Sequence, residues 1–181
     1  MRVILAEKPS VAQSIAAVLG ADQKKNGYLQ GENDLVSWCI GHLIELAPPE
    51  IYDARYAKWR REDLPIVPSA WESVVSDGTK KQFAVLKDLL NRTDVDEVVC
   101  ATDAGREGEL IFRMVYEKTG CTKPVKRLWI SSLEESAIRE GFRSLKPGSA
   151  YDALYRAALC RAQADWLVGI NGTRLYSRLY G

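Results

Sequence analysis

The chain has 181 residues, with an apolar fraction of 46%, a charged fraction of 27% and a formal charge of +1. This length buries one good core, with room for one main domain and part of a second, and the composition is that of a folded globule rather than a disordered chain. A charge so near zero excludes any argument for nucleic-acid binding from bulk electrostatics, so a basic footprint has to be local.

Cys39, Cys100, Cys121 and Cys160 form no CxxC pair and read as reduced thiols, and a single histidine rules out a histidine-rich metal site. No apolar run approaches membrane-spanning length and the N-terminus lacks a signal peptide's pattern, which makes the cytoplasm the default expectation and a membrane partner unexpected.

In chain order, Arg2 to Ala6 is a short β-branched apolar run, the pattern of a buried parallel strand. Ser10 is placed to cap a helix with Val11, Ile15, Val18 and Leu19 on one face and Gly20 as its stop. Leu35 to Ile40 reads as a strand, being short, apolar and ended by Gly41. Prolines, aromatics and charges then replace periodicity from Ala47 to Pro68, which predicts an ordered excursion over the surface. A helix starting at Asp77 or Thr79 carries Phe83, Leu86 and Leu90, and Asp96 to Thr102 is the second central strand. Leu110, Ile111, Met114 and Val115 mark the next helix, ended by Gly120. Val125 to Ile130 follows as a strand, then a helix capped at Ser132, with Glu135 at capping-box spacing. Lys146-Pro147-Gly148-Ser149 is the best linker candidate, and Tyr151 to Val168 has a long helical pattern. The alternation predicts an α/β fold with a mainly parallel sheet flanked by helices.

Both central strands end in acid. Glu7 closes the first, and the second runs into Thr102-Asp103-Ala104-Gly105-Arg106-Glu107-Gly108-Glu109. Parallel neighbours would bring Glu7, Asp103 and Glu107 to the carboxyl edge of one sheet, where open α/β folds place ligands. Three carboxylates there repel one another, and a hard divalent cation such as Mg²⁺ relieves that repulsion. Each acid alone has a plainer role. Glu7 can be a solvated strand-end acid, Asp103 a helix N-cap, and Glu107 and Glu109 first-turn acids favoured by the helix dipole. Lys8 beside Glu7, and two glycines in the second turn, favour phosphate and metal chemistry at close backbone approach. Arg106 either balances the acids or clamps a phosphate. His42 is the one side chain that titrates near neutrality without help, and alone reads as a turn residue. Arg161 and Asp165, one helical turn apart, can pair. Trp59, Trp71 and Trp166 read as core residues rather than base-stacking platforms.

Val3 to Ser10, Ala101 to Glu109 and Ala164-Asp165-Trp166-Leu167-Val168-Gly169 together resemble the type IA DNA topoisomerases, of the topoisomerase III branch. The first two blocks resemble the Toprim domain of that family, a Rossmann-like α/β fold. Glu7, Asp103 and Glu107 match three of its acids, while Gly105 stands where the second Asp of its Asp-x-Asp-x-Glu motif would be. The resemblance implies a Toprim domain over residues 1–147 and the start of a following helical domain over 148–181. It implies Mg²⁺ held by Glu7, Asp103 and Glu107, and catalytic roles for Glu7, Lys8, Asp103 and Arg106. DNA contacts fall to Lys8, Arg161 and Arg174, with His42 and Glu109 as further site candidates.

The implied activity is ATP-independent cutting, passage and rejoining of single DNA strands through a 5′-phosphotyrosine. The implied partners are single-stranded DNA or DNA with single-stranded regions, the remaining domains of the same enzyme, and a helicase, in a bacterial cytoplasm at the nucleoid. No tyrosine here has the family's Tyr-Pro-Arg-Thr context, so the chain alone is expected to be inactive. The alternatives are another Toprim enzyme, primase-like or a nuclease, and a nonenzymatic DNA-binding recombination adaptor.

Overall fold

The computed structural model describes residues 1–180. Its elements are β1 (Arg2–Ala6), α1 (Pro9–Leu19), β2 (Gln23–Lys25), β3 (Tyr28–Gln30), β4 (Asp34–Trp38), β5 (Ile44–Leu46), α2 (Pro49–Tyr52), β6 (Ser73–Val75), α3 (Lys80–Leu90), β7 (Glu97–Ala101), α4 (Arg106–Thr119), β8 (Val125–Arg127), α5 (Glu135–Arg143), β9 (Lys146–Pro147) and α6 (Asp152–Tyr180). One seven-stranded sheet runs β2-β3-β4-β1-β7-β8-β9, and β5 pairs separately with β6. The four inner strands β4, β1, β7 and β8 are parallel. The β2–β3 hairpin and β9 add antiparallel edges.

By contact the chain divides into two compact units, one of Met1–Ile44 with Val75–Ala158, the other of Glu45–Val74 with the chain from Leu159 onward. The expected division at residues 147 and 148 is a different cut. Lys146-Pro147 is a strand rather than a linker, its residues level with Arg127 and Lys126 of β8. Proline is tolerated there because an edge strand has one unpaired side.

The first unit owes its order to burial on both faces of the sheet. Val3, Ile4, Leu5 and Ala6 of β1 have no solvent exposure. A strand covered on both sides cannot alternate, so the run reads as continuously apolar. Each fully buried Val, Leu or Ile contributes about 1.5–3 kcal/mol relative to exposure. On one face Ile15 and Ala16 of α1 and Ile138 of α5 pack against Ile4, Ala6, Val36 and Val99.

Helix starts depart from the expected caps. α1 begins at Pro9 with extended Lys8 as N-cap and no side-chain cap, so Ser10 lies inside the helix. Proline suits a first helical position, having no N–H to leave unpaired. α5 begins at Glu135 without a side-chain cap. The Ser132 hydroxyl instead accepts the Glu134 N–H at 3.2 Å, so the capping box does not form.

In the second unit the excursion is ordered onto α6. The Trp166 indole N–H donates to the Ala47 carbonyl at 3.0 Å. Its ring meets Tyr52 and Trp71 edge-on, at 5.9 and 5.4 Å between centroids. Asn171 clamps Ile66 from both sides, accepting from its N–H at 2.6 Å and donating to its carbonyl at 2.9 Å. Trp59 departs from the core reading and is 45% exposed. Among the described residues no helix is long and apolar enough to cross a membrane.

All four cysteines are free, with Cys39, Cys100 and Cys121 buried and Cys160 exposed. Burial pushes the Cys100 thiol up to about 11 and raises Cys39 further. A thiol reagent at pH 8 is therefore expected to label Cys160 quickly and the other three only in denaturant. Because the folded Cys100 value lies above the unfolded value of 9.0, its contribution to stability is full below pH 9 and is lost as pH rises toward about 11. Rapid labelling of more than one thiol in the native state would contradict this burial.

Candidate functional site at the carboxyl edge of the sheet

Register delivers the acids. Ala6 of β1 is level with Ala101 of β7, so Glu7 and the Thr102-Asp103 turn leave the sheet at the same edge. The Glu7 carboxylate is buried, and its Oε2 accepts the Asp103 backbone N–H at 3.1 Å. Lys8 Nζ stands 3.8 Å from Glu7 Oε1 and 3.6 Å from Asp103 Oδ2.

Close packing shapes the second turn. A Cβ on Gly108 would lie 2.1 Å from the Asp103 carbonyl oxygen, so only glycine admits this approach. The Thr102 hydroxyl donates to the Gly108 carbonyl at 2.8 Å and ties the turn to the first turn of α4. Gly105 differs. Its φ of 177° is extended backbone open to any residue, and a Cβ there would meet nothing within 4 Å. The missing acid of the family motif is thus a matter of sequence and not of space.

Beneath the turn lies a buried ion network that the sequence analysis did not find. Arg127, wholly buried, donates from Nε to Glu109 Oε2 at 3.0 Å. Its other nitrogens donate to the carbonyls of Thr102 at 2.7 Å, Asp103 at 2.8 Å, Leu128 at 2.8 Å and Cys100 at 3.3 Å. Glu109 Oε1 accepts from Arg113 Nε at 3.0 Å, and Arg113 reaches on to the Gly148 carbonyl and Asp152 Oδ1, both at 2.8 Å. Burial works to lower the pKa of Arg113, but its hydrogen bonds to Asp152 and Glu109 outweigh this and raise it. The sequence carried one signal, an arginine inside the apolar run from Val125 to Ile130, since a buried strand charge requires a partner.

The remaining candidates are distributed as follows. Glu107 Oε1 lies 2.5 Å from His42 Nε2, both side chains being exposed. The structure therefore joins Glu7 with Asp103, and Glu107 with His42. Among the described residues no group of three or more His, Cys, Asp or Glu side chains is gathered to hold a metal ion. Arg106 is exposed at the first position of α4. In the second unit Arg161 Nε is 3.6 Å from Asp165 Oδ2, both exposed. Arg174 is buried, donates to the Tyr56 carbonyl at 2.7 Å and lies over the Trp59 ring at 5.3 Å.

A buried carboxylate, a second one anchored beside it through the backbone, and an ammonium between them form an oxygen donor set with positive charge already drawn to it. Such a set fits a hard divalent cation such as Mg²⁺. The exposed Lys8 and Arg106 add cations suited to a phosphate.

A family profile described as the Toprim domain matches residues 2–133. DNA topoisomerase 3 of Shouchella clausii is 56% identical over 173 residues, covering 96% of this chain and 24% of that protein. DNA topoisomerase 3 of Staphylococcus epidermidis is 51% identical over 178 residues, covering 98% of this chain and 25% of that protein. The chain thus spans about a quarter of the length of the relatives it matches. Among solved structures, full-length topoisomerase I from Thermotoga maritima superposes with a TM-score of 0.61 at 24% identity, covering 92% of this chain and 24% of that one, a likeness of fold.

Proposed function

The chain belongs to the Toprim domain family, and on that ground we propose that it is the metal-binding part of a type IA DNA topoisomerase acting on single-stranded DNA or single-stranded regions of DNA. The observation that carries this reading is the convergence of Glu7, Lys8 and Asp103 at one sheet edge. Its high identity to proteins named DNA topoisomerase 3 supports the branch.

In this reading Glu7, Asp103 and Glu107 would be the residues that hold Mg²⁺, although Glu107 lies against His42 in this structure. The ion supplies charge stabilisation and a template for the cut ends. The reaction exchanges one phosphoester for another. A tyrosine oxygen supplied by the remaining domains bonds to phosphorus and gives up its proton, while the bond to the 3′ oxygen breaks and that oxygen takes a proton. Glu7, within reach of Lys8 and the turn, exchanges the proton of the 3′ hydroxyl. Lys8 and Arg106 neutralise the phosphate and the exposed Arg161 contacts DNA, whereas Arg174, buried against the Tyr56 carbonyl and the Trp59 ring, would reach DNA only by leaving those partners. Reversal rejoins the strand because the phosphotyrosine conserves the bond energy. A helicase partner and a place at the bacterial nucleoid belong to the same reading.

Mg²⁺ titration calorimetry on this chain tests the metal step. Asp103→Asn and Glu7→Gln are each expected to weaken binding at least about tenfold, as loss of one charged ligand from an oxygen site does. The chain alone is expected to show no plasmid relaxation. Unchanged Mg²⁺ affinity in both variants, or relaxation by the chain alone, would overturn the assignment.

A further inference from the structure

We propose that Lys8 is a built-in, exchangeable counter-ion that holds the Glu7 and Asp103 carboxylates together in the absence of metal and competes with the divalent cation for them. The proposal rests on the metal reading above and adds the lysine's part in setting affinity. Three observations lead to it. Lys8 Nζ is within 4 Å of both carboxylates, 3.8 Å from Glu7 and 3.6 Å from Asp103. Its backbone is held, because Lys8 is the extended N-cap of α1 before Pro9 and its carbonyl accepts the Ala12 N–H at 3.1 Å. The other candidate charges are engaged or absent, Glu107 lying against His42 and position 105 being glycine.

The site therefore presents two carboxylates with one ammonium drawn to both. A divalent cation on the same two oxygens would stand a few ångströms from Nζ, and charges of one sign at that range repel appreciably even in water. The Lys8 ammonium would therefore have to give up its place beside the two carboxylates when a divalent cation binds there, and would then be available to a phosphate. Lys8 is 57% exposed at its side chain, so it is free to make that move. By linkage, a phosphate that draws Lys8 away tightens metal binding, and metal binding tightens phosphate binding by the same factor.

The experiment is Mg²⁺ titration calorimetry at low salt on the whole chain and on Lys8→Gln, Lys8→Arg and Glu7→Gln. Lys8→Gln is expected to bind Mg²⁺ on the order of tenfold more tightly, an advantage that shrinks as salt rises. Lys8→Arg keeps the charge and is expected to stay within about threefold of the parent chain. Inorganic phosphate is expected to tighten Mg²⁺ binding to the parent chain but not to Lys8→Gln. A Lys8→Gln affinity equal to or below the parent's overturns the counter-ion role while leaving the metal reading in place. Absence of Mg²⁺ binding in both, or binding unaffected by Glu7→Gln, overturns the metal reading itself.

Discussion

Gly108→Ala is expected to cost about 3 kcal/mol or more of folding stability, as overpacking at its worst does. In an ordinary helix position the same change gains about 1 kcal/mol, so the sign itself is diagnostic. The added Cβ would lie 2.1 Å from the Asp103 carbonyl oxygen and 3.0 Å from the same residue's carbonyl carbon and nitrogen. All three are backbone atoms with no rotamer to change, so α4 or the acidic turn must move. Movement breaks the Thr102 bond to the Gly108 carbonyl and disturbs the Asp103 N–H that Glu7 accepts. Gly105→Ala is the control, because its Cβ meets nothing within 4 Å. It is expected to lie within about 1 kcal/mol of the parent. Urea denaturation of the two variants makes the comparison, and a Gly108→Ala chain as stable as Gly105→Ala would refute the close approach.

Arg127→Met is expected to cost about 3–5 kcal/mol, the usual result of removing one partner from a buried ion pair. The side chain has no exposure, and its loss leaves Glu109, 1% exposed, with Arg113 alone. Four backbone carbonyls, those of Cys100, Thr102, Asp103 and Leu128, lose a donor at the same time. Removing the stranded charge as well should recover part of the loss. The double variant Arg127→Met with Glu109→Leu is expected to be at least about 1–2 kcal/mol more stable than Arg127→Met alone. Equilibrium unfolding of the parent, both single variants and the double gives the coupling directly. A cost below about 1 kcal/mol for Arg127→Met would mean that the network does not hold the Asp103 turn.

Legibility in the sequence followed the strength of the local pattern. β1 and β7 were readable because a strand buried on both faces is apolar throughout, and the observed Arg2–Ala6 and Glu97–Ala101 lie within the expected runs. α4 was found from Leu110, Ile111, Met114 and Val115, and its end from Gly120, which has a left-handed φ of 72°. Its polar first turn from Arg106 carries no such stripe. The β2–β3 hairpin was missed for the same reason, since Gln23-Lys24-Lys25 is polar and exposed along its whole length. Ser10 and Ser132 looked like caps because serine offers an oxygen anywhere along a chain. Whether a helix uses it depends on backbone angles that Pro9 and the extended Glu134 settled otherwise. α6 continues to Tyr180, beyond the expected Val168, where its packing partners come from a segment about a hundred residues earlier.

By itself the sequence determined the alternation of strands and helices, and with it the arrival of Glu7 and Asp103 at the same kind of position, the residue where an apolar run stops. Hydrophobic period and strand-end polarity are local quantities, and local quantities survive in one dimension. Tertiary structure alone decided which acids meet. Parallel pairing of β1 with β7 brought Glu7 to the Asp103 N–H, a contact 96 residues apart in the chain. The helical turn at Arg106 directed Glu107 to His42 instead, and burial of Arg127 beneath the turn turned Glu109 from a surface acid into its counter-ion. A carboxylate's partner is set by direction and depth, and neither exists until the sheet has closed around it.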